Sequence, residues 1–209
     1  NNSLEVISKI KDIRAGKTSE NVSVILKCPW CGASMETFKT DKTAQTPGYE
    51  ISPDKKHVVF RCCNEDCDFS DEDFDLPLNL FDDEIYANPP TLLFGTVDKF
   101  AMLPYRPEAK SLFGGDNERT PPELIIQDEL HLITGPLGSA VGLYETLINE
   151  LCLRNGKRPK VVASTATISH AKQQCNALYA CGEDKVFQFP VQGTTYKDCF
   201  FAKEAEGKT

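Results

Sequence analysis

Between residues 62 and 98 the chain carries no Lys and no Arg. Eleven of its 31 acidic residues lie in that stretch, so the 20 acids elsewhere face 23 Lys and Arg, and the net charge of -8 belongs to one segment. Overall acidity therefore does not exclude a nucleic-acid-binding face on the remainder. Long apolar runs are absent as well. None approaches the ~20 residues of a membrane-spanning helix, so no membrane association is expected. The first ten residues have neither the basic end nor the apolar centre of a secretory leader. The chain also lacks an initiator Met, which suggests a processed or excised piece. Repeats and low-complexity tracts are missing. With 40% hydrophobic and 26% charged residues, the composition excludes general disorder, and 209 residues hold one ordinary domain with a small insertion rather than two full domains.

Cysteine is what the chain does have, nine in all, and five of them cluster at two places. An odd number in tight clusters suits metal ligation in a reducing compartment better than a disulfide framework, so a cytoplasmic protein is expected. Cys28-Pro29-Trp30-Cys31-Gly32 reads as one knuckle, a tight turn that aims two thiolates at one ion, with Gly32 supplying positive φ. Arg61-Cys62-Cys63-Asn64-Glu65-Asp66-Cys67 reads as the second. A ligand set of Cys28, Cys31, Cys62 and Cys67 is favoured, with Cys63 as the alternative to Cys62. Four thiolates select Zn2+ in a closed structural site; an iron-sulfur cluster uses the same ligands and remains the competing reading. Cys152 and Cys175 fall in helical patterns and read as small core residues, with Cys181 and Cys199 scattered.

The spacing of Leu4, Ile7, Ile10 and Ile13 predicts a short amphipathic helix, and residues 22–26 a strand. Residues 28–75 form the expected zinc-ribbon insertion, with a turn at Thr46-Pro47-Gly48 and an alternating run over 57–61. Asp71, Glu72, Asp73 and Asp75 are expected to form a solvated connection, since packed like charges stay hydrated. After residue 76 the pattern alternates: a strand over 91–96 feeding a helix or turn over 97–103, a strand over 123–127, a helix over 138–153, a strand over 160–163 and a helix over 169–180. Leu124, Ile125 and Ile126 in succession suit a strand buried on both faces, and Val141, Leu143, Tyr144, Leu147, Ile148 and Leu151 are the expected buried side of the long helix. The fold class is α/β with a parallel sheet, in three segments: residues 1–27, the ribbon at 28–75, and 76–209.

The apolar strand Leu124-Ile125-Ile126-Gln127 ends in Asp128-Glu129-Leu130-His131. Acids at the carboxyl edge of a parallel strand lie where open α/β sheets bind ligands. In nucleoside triphosphatases the first such acid holds Mg2+ and the second takes a proton from the attacking water. The bland alternative is a cap at a helix start. A second apolar strand, Val161-Val162-Ala163, empties into Ser164-Thr165-Ala166-Thr167.

Together these resemble superfamily 2 DExH-box helicases. Asp128-Glu129-Leu130-His131 resembles motif II and Ser164-Thr165-Ala166-Thr167 motif III, with Thr165 inserted into the usual Ser-Ala-Thr. Gly95-Thr96-Val97-Asp98-Lys99-Phe100 resembles the motif between Ia and II that contacts a nucleic-acid strand. The resemblance spans residues 76–181, about half the chain. Tyr86-Ala87-Asn88-Pro89-Pro90-Thr91-Leu92-Leu93, Gly95-Thr96-Val97-Asp98-Lys99-Phe100-Ala101, and Gln127-Asp128-Glu129-Leu130-His131-Leu132-Ile133 with Gly135-Pro136-Leu137-Gly138 are closer still to the helicase component of bacterial DISARM anti-phage systems.

The resemblance implies a partial RecA-like sheet with helices on both faces, an ATP- and Mg2+-dependent helicase parent acting on nucleic acid, with DNA expected, and defence-complex partners. It implies hydrolytic roles for Asp128 and Glu129, coupling roles for His131, Ser164, Thr165 and Thr167, and nucleic-acid contact by Thr96 and Lys99. One part is missing. Gly16-Lys17-Thr18 and Gly207-Lys208-Thr209 lack the setting of a phosphate loop, so the chain alone is expected to be inactive, the remainder of the motor lying outside it. The competing class is a non-enzymatic zinc-ribbon module that binds nucleic acid or protein. Trp30 either covers the knuckle or stacks a base. Lys27, Lys39, Lys42, Lys55, Lys56 and Arg61 give the ribbon a basic face.

Overall fold

The computed structural model describes residues 2–15, 17, 25–35, 48–54, 56–71, 73–115, 119–133, 135–153, 156–166 and 170–190. The chain divides into two compact units, Asn1–Phe94 and Gly95–Thr209.

In the first unit, helix α1 (Ser3–Arg14) begins at Asn2, whose side chain accepts from the Leu4 amide. Glu5 in its first turn and Lys11 and Arg14 in its last suit the helix dipole. Its buried stripe is Val6, Ile7 and Ile10; Leu4 turns outward. Strands β1 (Tyr49–Ile51) and β2 (Val58–Phe60) pair antiparallel with Tyr49 opposite Phe60. Gly48 enters this hairpin hard against Met35, where a Cβ would come within 2.5 Å of the Met35 Cβ, so any side chain there forces the backbones apart. The α1 stripe shares one core with Cys28, Met35, Tyr49, Phe60, Cys62, Cys67, Leu76 and Phe81. Phe81 stacks on Phe60 at 6.4 Å and leads into helix α2 (Asp82–Ala87).

The acidic stretch is therefore more than a hydrated connection. Asp75 pairs with Arg61, which also holds Glu50. The Asp83 carboxylate accepts from the Ser3 amide and hydroxyl, and Glu84 accepts from the Val58 amide at 3.2 Å. Arg61 is thus neutralised by two carboxylates instead of adding to a basic face. Lys39, Lys42 and Lys55 lie outside the described residues, as do residues 22–24 of the expected first strand.

In the second unit, helix α3 (Val97–Ala101) leads through 3-10 turns to strand β3 (Leu124–Gln127), helix α4 (Gly135–Cys152), strand β4 (Lys160–Ala163) and helix α5 (Ala171–Tyr179). β3 and β4 are parallel neighbours, Leu124 opposite Lys160 and Gln127 opposite Ala163. This is a mixed α/β arrangement built on a small parallel sheet. Three expectations change. Residues 91–96 form no strand: they follow Pro89-Pro90 and pair with no strand among the described residues, and Leu92 and Phe94 are exposed. The strands are not buried on both faces, and helices do not cover both. Among the described residues the face bearing Leu124, Ile126 and Val162 is open. Finally, the buried side of α4 is Val141, Glu145, Ile148, Asn149 and Cys152, while Leu143 and Leu151 face outward. Among the described residues, no helix is long and apolar enough to cross a membrane.

Glu145 carries a cost. It is 8% exposed and its Oε2 has no hydrogen-bond partner among the described residues, and burial pushes its carboxyl above the ordinary range. A raised acid titrates on the folded chain above the pH at which it titrates unfolded, so stability falls as pH rises through that window, by at most about 1.4 kcal/mol per pH unit. Glu145→Gln should therefore raise the melting temperature at pH 8 more than at pH 4. Equal shifts at both pH values in thermal melts would contradict this.

Candidate functional site

The first site is the cysteine cluster. In the first knuckle the Cys28 amide donates to Ala33 O at 2.8 Å, Gly32 N to Cys28 O at 2.9 Å, and Lys27 bridges Ser34. Gly32 sits at φ +76, as the turn requires. In the second, Cys62 N donates to Phe69 O at 2.8 Å and Cys67 N to Asn64 O at 3.0 Å. The four sulfurs of Cys28, Cys31, Cys62 and Cys67 lie within 4.8 Å of one another, and Cys31 and Cys62 are 3.4 Å apart. A tetrahedral zinc with Zn–S near ~2.3 Å needs sulfurs about 3.8 Å apart, so the set fits such an ion after small adjustments.

Cys62 stands in this set and Cys63 outside it, exposed. The Ala33 amide holds the Cys31 thiol down to about 7, while burial pushes Cys62 up. The Asn64 amide points at the Cys62 sulfur from 3.4 Å, a donor that favours thiolate. Trp30 joins the two knuckles. Its ring meets Phe69 edge-on at 5.6 Å, and its Nε1 donates to Asp68 at 3.1 Å. Of the other cysteines, Cys152 is buried and Cys175 and Cys181 half-buried; Cys199 lies outside the described residues.

The second site lies in the second unit, at the carboxyl ends of β3 and β4. The Ser164 amide donates to Gln127 O at 2.8 Å and the Leu130 amide to Ser164 O at 2.9 Å, so the two strand ends continue into one hydrogen-bonded turn. There the Ser164 hydroxyl donates to Asp128 Oδ1, and the Glu129 amide reaches the same oxygen at 2.9 Å. Glu129 is held at φ +54, ψ +42, a left-handed conformation costing a non-glycine residue roughly 1 kcal/mol. Its side chain caps no amide of the 3-10 turn that follows (Leu130–Leu132). Leu130 anchors that turn at 1% exposure.

His131 Nδ1 lies 3.2 Å from Glu129 Oε2 and 3.3 Å from the Ala166 amide, between the acid pair and the loop after β4. Asp128, Glu129, Ser164 and His131 are thus neighbours. Thr165 is exposed beside them, and Thr167 falls outside the described residues. Thr96 and Lys99 are exposed on α3, Thr96 at its N-terminal boundary.

Asp128 is exposed, and the Ser164 hydroxyl, then the Glu129 amide, hold its carboxyl below the ordinary range. A depressed acid stabilises the fold above its unfolded pKa, and that contribution is lost as pH falls through the folded value. Ser164→Ala should move the Asp128 midpoint upward in a carbon-13 NMR titration. An unmoved midpoint would show that the hydroxyl does not hold the carboxylate.

Sequence reasoning passed over two residues of this site, Gln174 and Tyr179. The Tyr179 hydroxyl donates to Gln127 Oε1, and Gln174 Nε2 donates to Leu130 O at 3.3 Å and Ile133 O at 3.1 Å. The signal was Gln127 itself, a polar residue ending an apolar strand, which needs a partner once half-buried.

No family model and no solved structure matches the chain. It is 37% identical over 214 residues to DISARM protein DrmA of Bacillus paralicheniformis, an alignment taking in 86% of this chain. The chain spans only 18% of that relative's length. Over most of its own length it is thus related in sequence to a DISARM protein.

Proposed function

We propose that the chain supplies the hydrolytic acids of a superfamily 2 ATPase motor with a RecA-like sheet, and that the longer protein containing it uses ATP to move on or remodel DNA in a DISARM anti-phage complex. The observation that carries this reading is the Ser164-to-Asp128 hydrogen bond, which couples the ends of two adjacent parallel strands. Among the described residues both hydrogen bonds to Asp128 fall on Oδ1, which leaves Oδ2 for a metal-bound water in this reading. Mg2+ with ATP would supply the phosphoryl group and spread its developing charge. In this reading Glu129 accepts the proton of the attacking water, and His131 relays the state of the site to the loop after β4. The ribbon takes a structural Zn2+, for which the cysteine geometry is suited. Similarity to a DISARM protein supports the defence setting.

In this proposal the rest of the motor lies outside these 209 residues, a reading supported by the missing phosphate loop and by the sheet face that is open among the described residues. The 209-residue chain should therefore release no phosphate from ATP, whereas the longer protein should do so and be stimulated by DNA. Phosphate release by the 209-residue chain, abolished by Glu129→Gln, would overturn the division of labour proposed here.

A further inference from the structure

The turn bearing the acid pair is held from one side by α5. Gln174 spends both N–H groups of its side-chain amide on main-chain carbonyls of that turn, Leu130 O at 3.3 Å and Ile133 O at 3.1 Å. The Ile133 carbonyl is also confined by α4, where a Cβ on Gly138 would come within 3.2 Å of it. Other main-chain groups of the turn are paired as well: Glu129 O with Leu132 N at 2.9 Å, Leu130 O also with Ile133 N at 3.0 Å, and Leu130 N with Ser164 O. Farther along α5, Tyr179 holds Gln127, the residue before the acids.

We infer that Gln174 is a positioning residue for the acid pair: by clamping the Leu130 and Ile133 carbonyls it holds Glu129 in its left-handed conformation and so aims the carboxylate. This deepens the hydrolytic reading of Asp128 and Glu129 and rests on it. Glu129 occupies a conformation that an L-residue leaves when unsupported. The support is a neutral two-proton donor, which a carboxylate of the same shape cannot replace, since Glu presents only acceptors to two carbonyls at neutral pH. Hydrolysis depends on aim more than nucleotide binding does, because a nucleophile or base displaced by about 1 Å loses roughly a hundredfold in rate.

The experiment has two arms. In the 209-residue chain, hydrogen exchange is measured at residues 130–133 for the unsubstituted protein, Gln174→Glu and Gln174→Lys, with melting temperature as the control for folding. Gln174→Glu should speed exchange in this turn by about tenfold or more, while Gln174→Lys, which still donates, should stay near the unsubstituted rate. In the longer protein, Gln174→Glu should lower kcat about a hundredfold with KM changed less than about threefold, and Gln174→Lys should restore most of it. Unchanged exchange in Gln174→Glu would overturn the inference. Faster exchange with unchanged kcat would overturn it too, leaving Gln174 a packing residue. If Gln174→Glu fails to fold, Gly138→Ala, which presses on the Ile133 carbonyl from α4, must lower kcat in the same pattern or the inference fails. Failure of the underlying hydrolytic reading shows separately, as absence of phosphate release by the unsubstituted longer protein.

Discussion

Cys62→Ser, or treatment with a strong zinc chelator, is expected to abolish the ordered packing of the first unit. Its core is short: α1 contributes Val6, Ile7 and Ile10, the hairpin Tyr49, Val58 and Phe60, and three of the four converging cysteines are themselves core residues. The cysteines complete that core, and a structural zinc supplies about 10 kcal/mol or more in small metal-dependent domains. Trp30 is the only Trp in the chain and lies on the knuckles, so its emission reports this unit directly. One zinc per chain is expected by elemental analysis, with a change in the intensity of Trp30 emission on chelation, since the ring is already 65% exposed beside Phe69. Cys62→Ser should lose both metal and the native spectrum, while Cys63→Ser keeps them, because Cys63 lies outside the sulfur cluster. Full metal content in Cys62→Ser would contradict the ligand set. A brown protein absorbing near ~400 nm would replace zinc by an iron-sulfur cluster.

Asp128→Ala and Glu129→Gln should fail in different ways in the longer protein. In the proposed motor Asp128 would offer an oxygen to a metal-bound water, so its loss should weaken Mg-nucleotide binding, by tenfold or more on the ordinary scale of a charged contact. Glu129→Gln keeps shape and hydrogen bonding but no longer takes a proton. It should leave binding within about threefold while hydrolysis falls about a thousandfold, the scale of a lost general base. Nucleotide is then trapped. Equal loss of binding in both variants, read with a fluorescent ATP analogue, would assign the two acids one shared role and contradict the division proposed for them.

Much of this was legible in the residues. Lys160–Ala163 is a strand over the span that its apolar run predicts, and the cysteine spacing identifies both knuckles, because each depends on neighbours in sequence. Spacing leaves Cys62 and Cys63 equal, since either permits a turn; the fold gathers Cys62, not Cys63, with the other three sulfurs and buries it in the same core as Phe60. The α4 face was misread because its apolar residues surround the helix. The packed side then depends on what α5 offers, and a Glu and an Asn are enclosed while Leu143 is left outside. The same limit explains Arg61, basic in sequence and consumed by Glu50 and Asp75 in the fold. In the acid site the sequence names Asp128, Glu129 and Ser164. The left-handed backbone of Glu129 and the clamp by Gln174 have no local signature, because they arise only when α5 packs beside the turn.

The central claim is that Glu129, at the strand end it shares with Ser164, performs hydrolysis. Phosphate release by the longer protein, with saturating ATP, Mg2+ and DNA, tests it most directly when the unsubstituted protein is compared with Glu129→Gln. The account predicts DNA-stimulated release from the first and a loss of about a thousandfold in the second, with ATP still bound. Comparable release from the two proteins would contradict it.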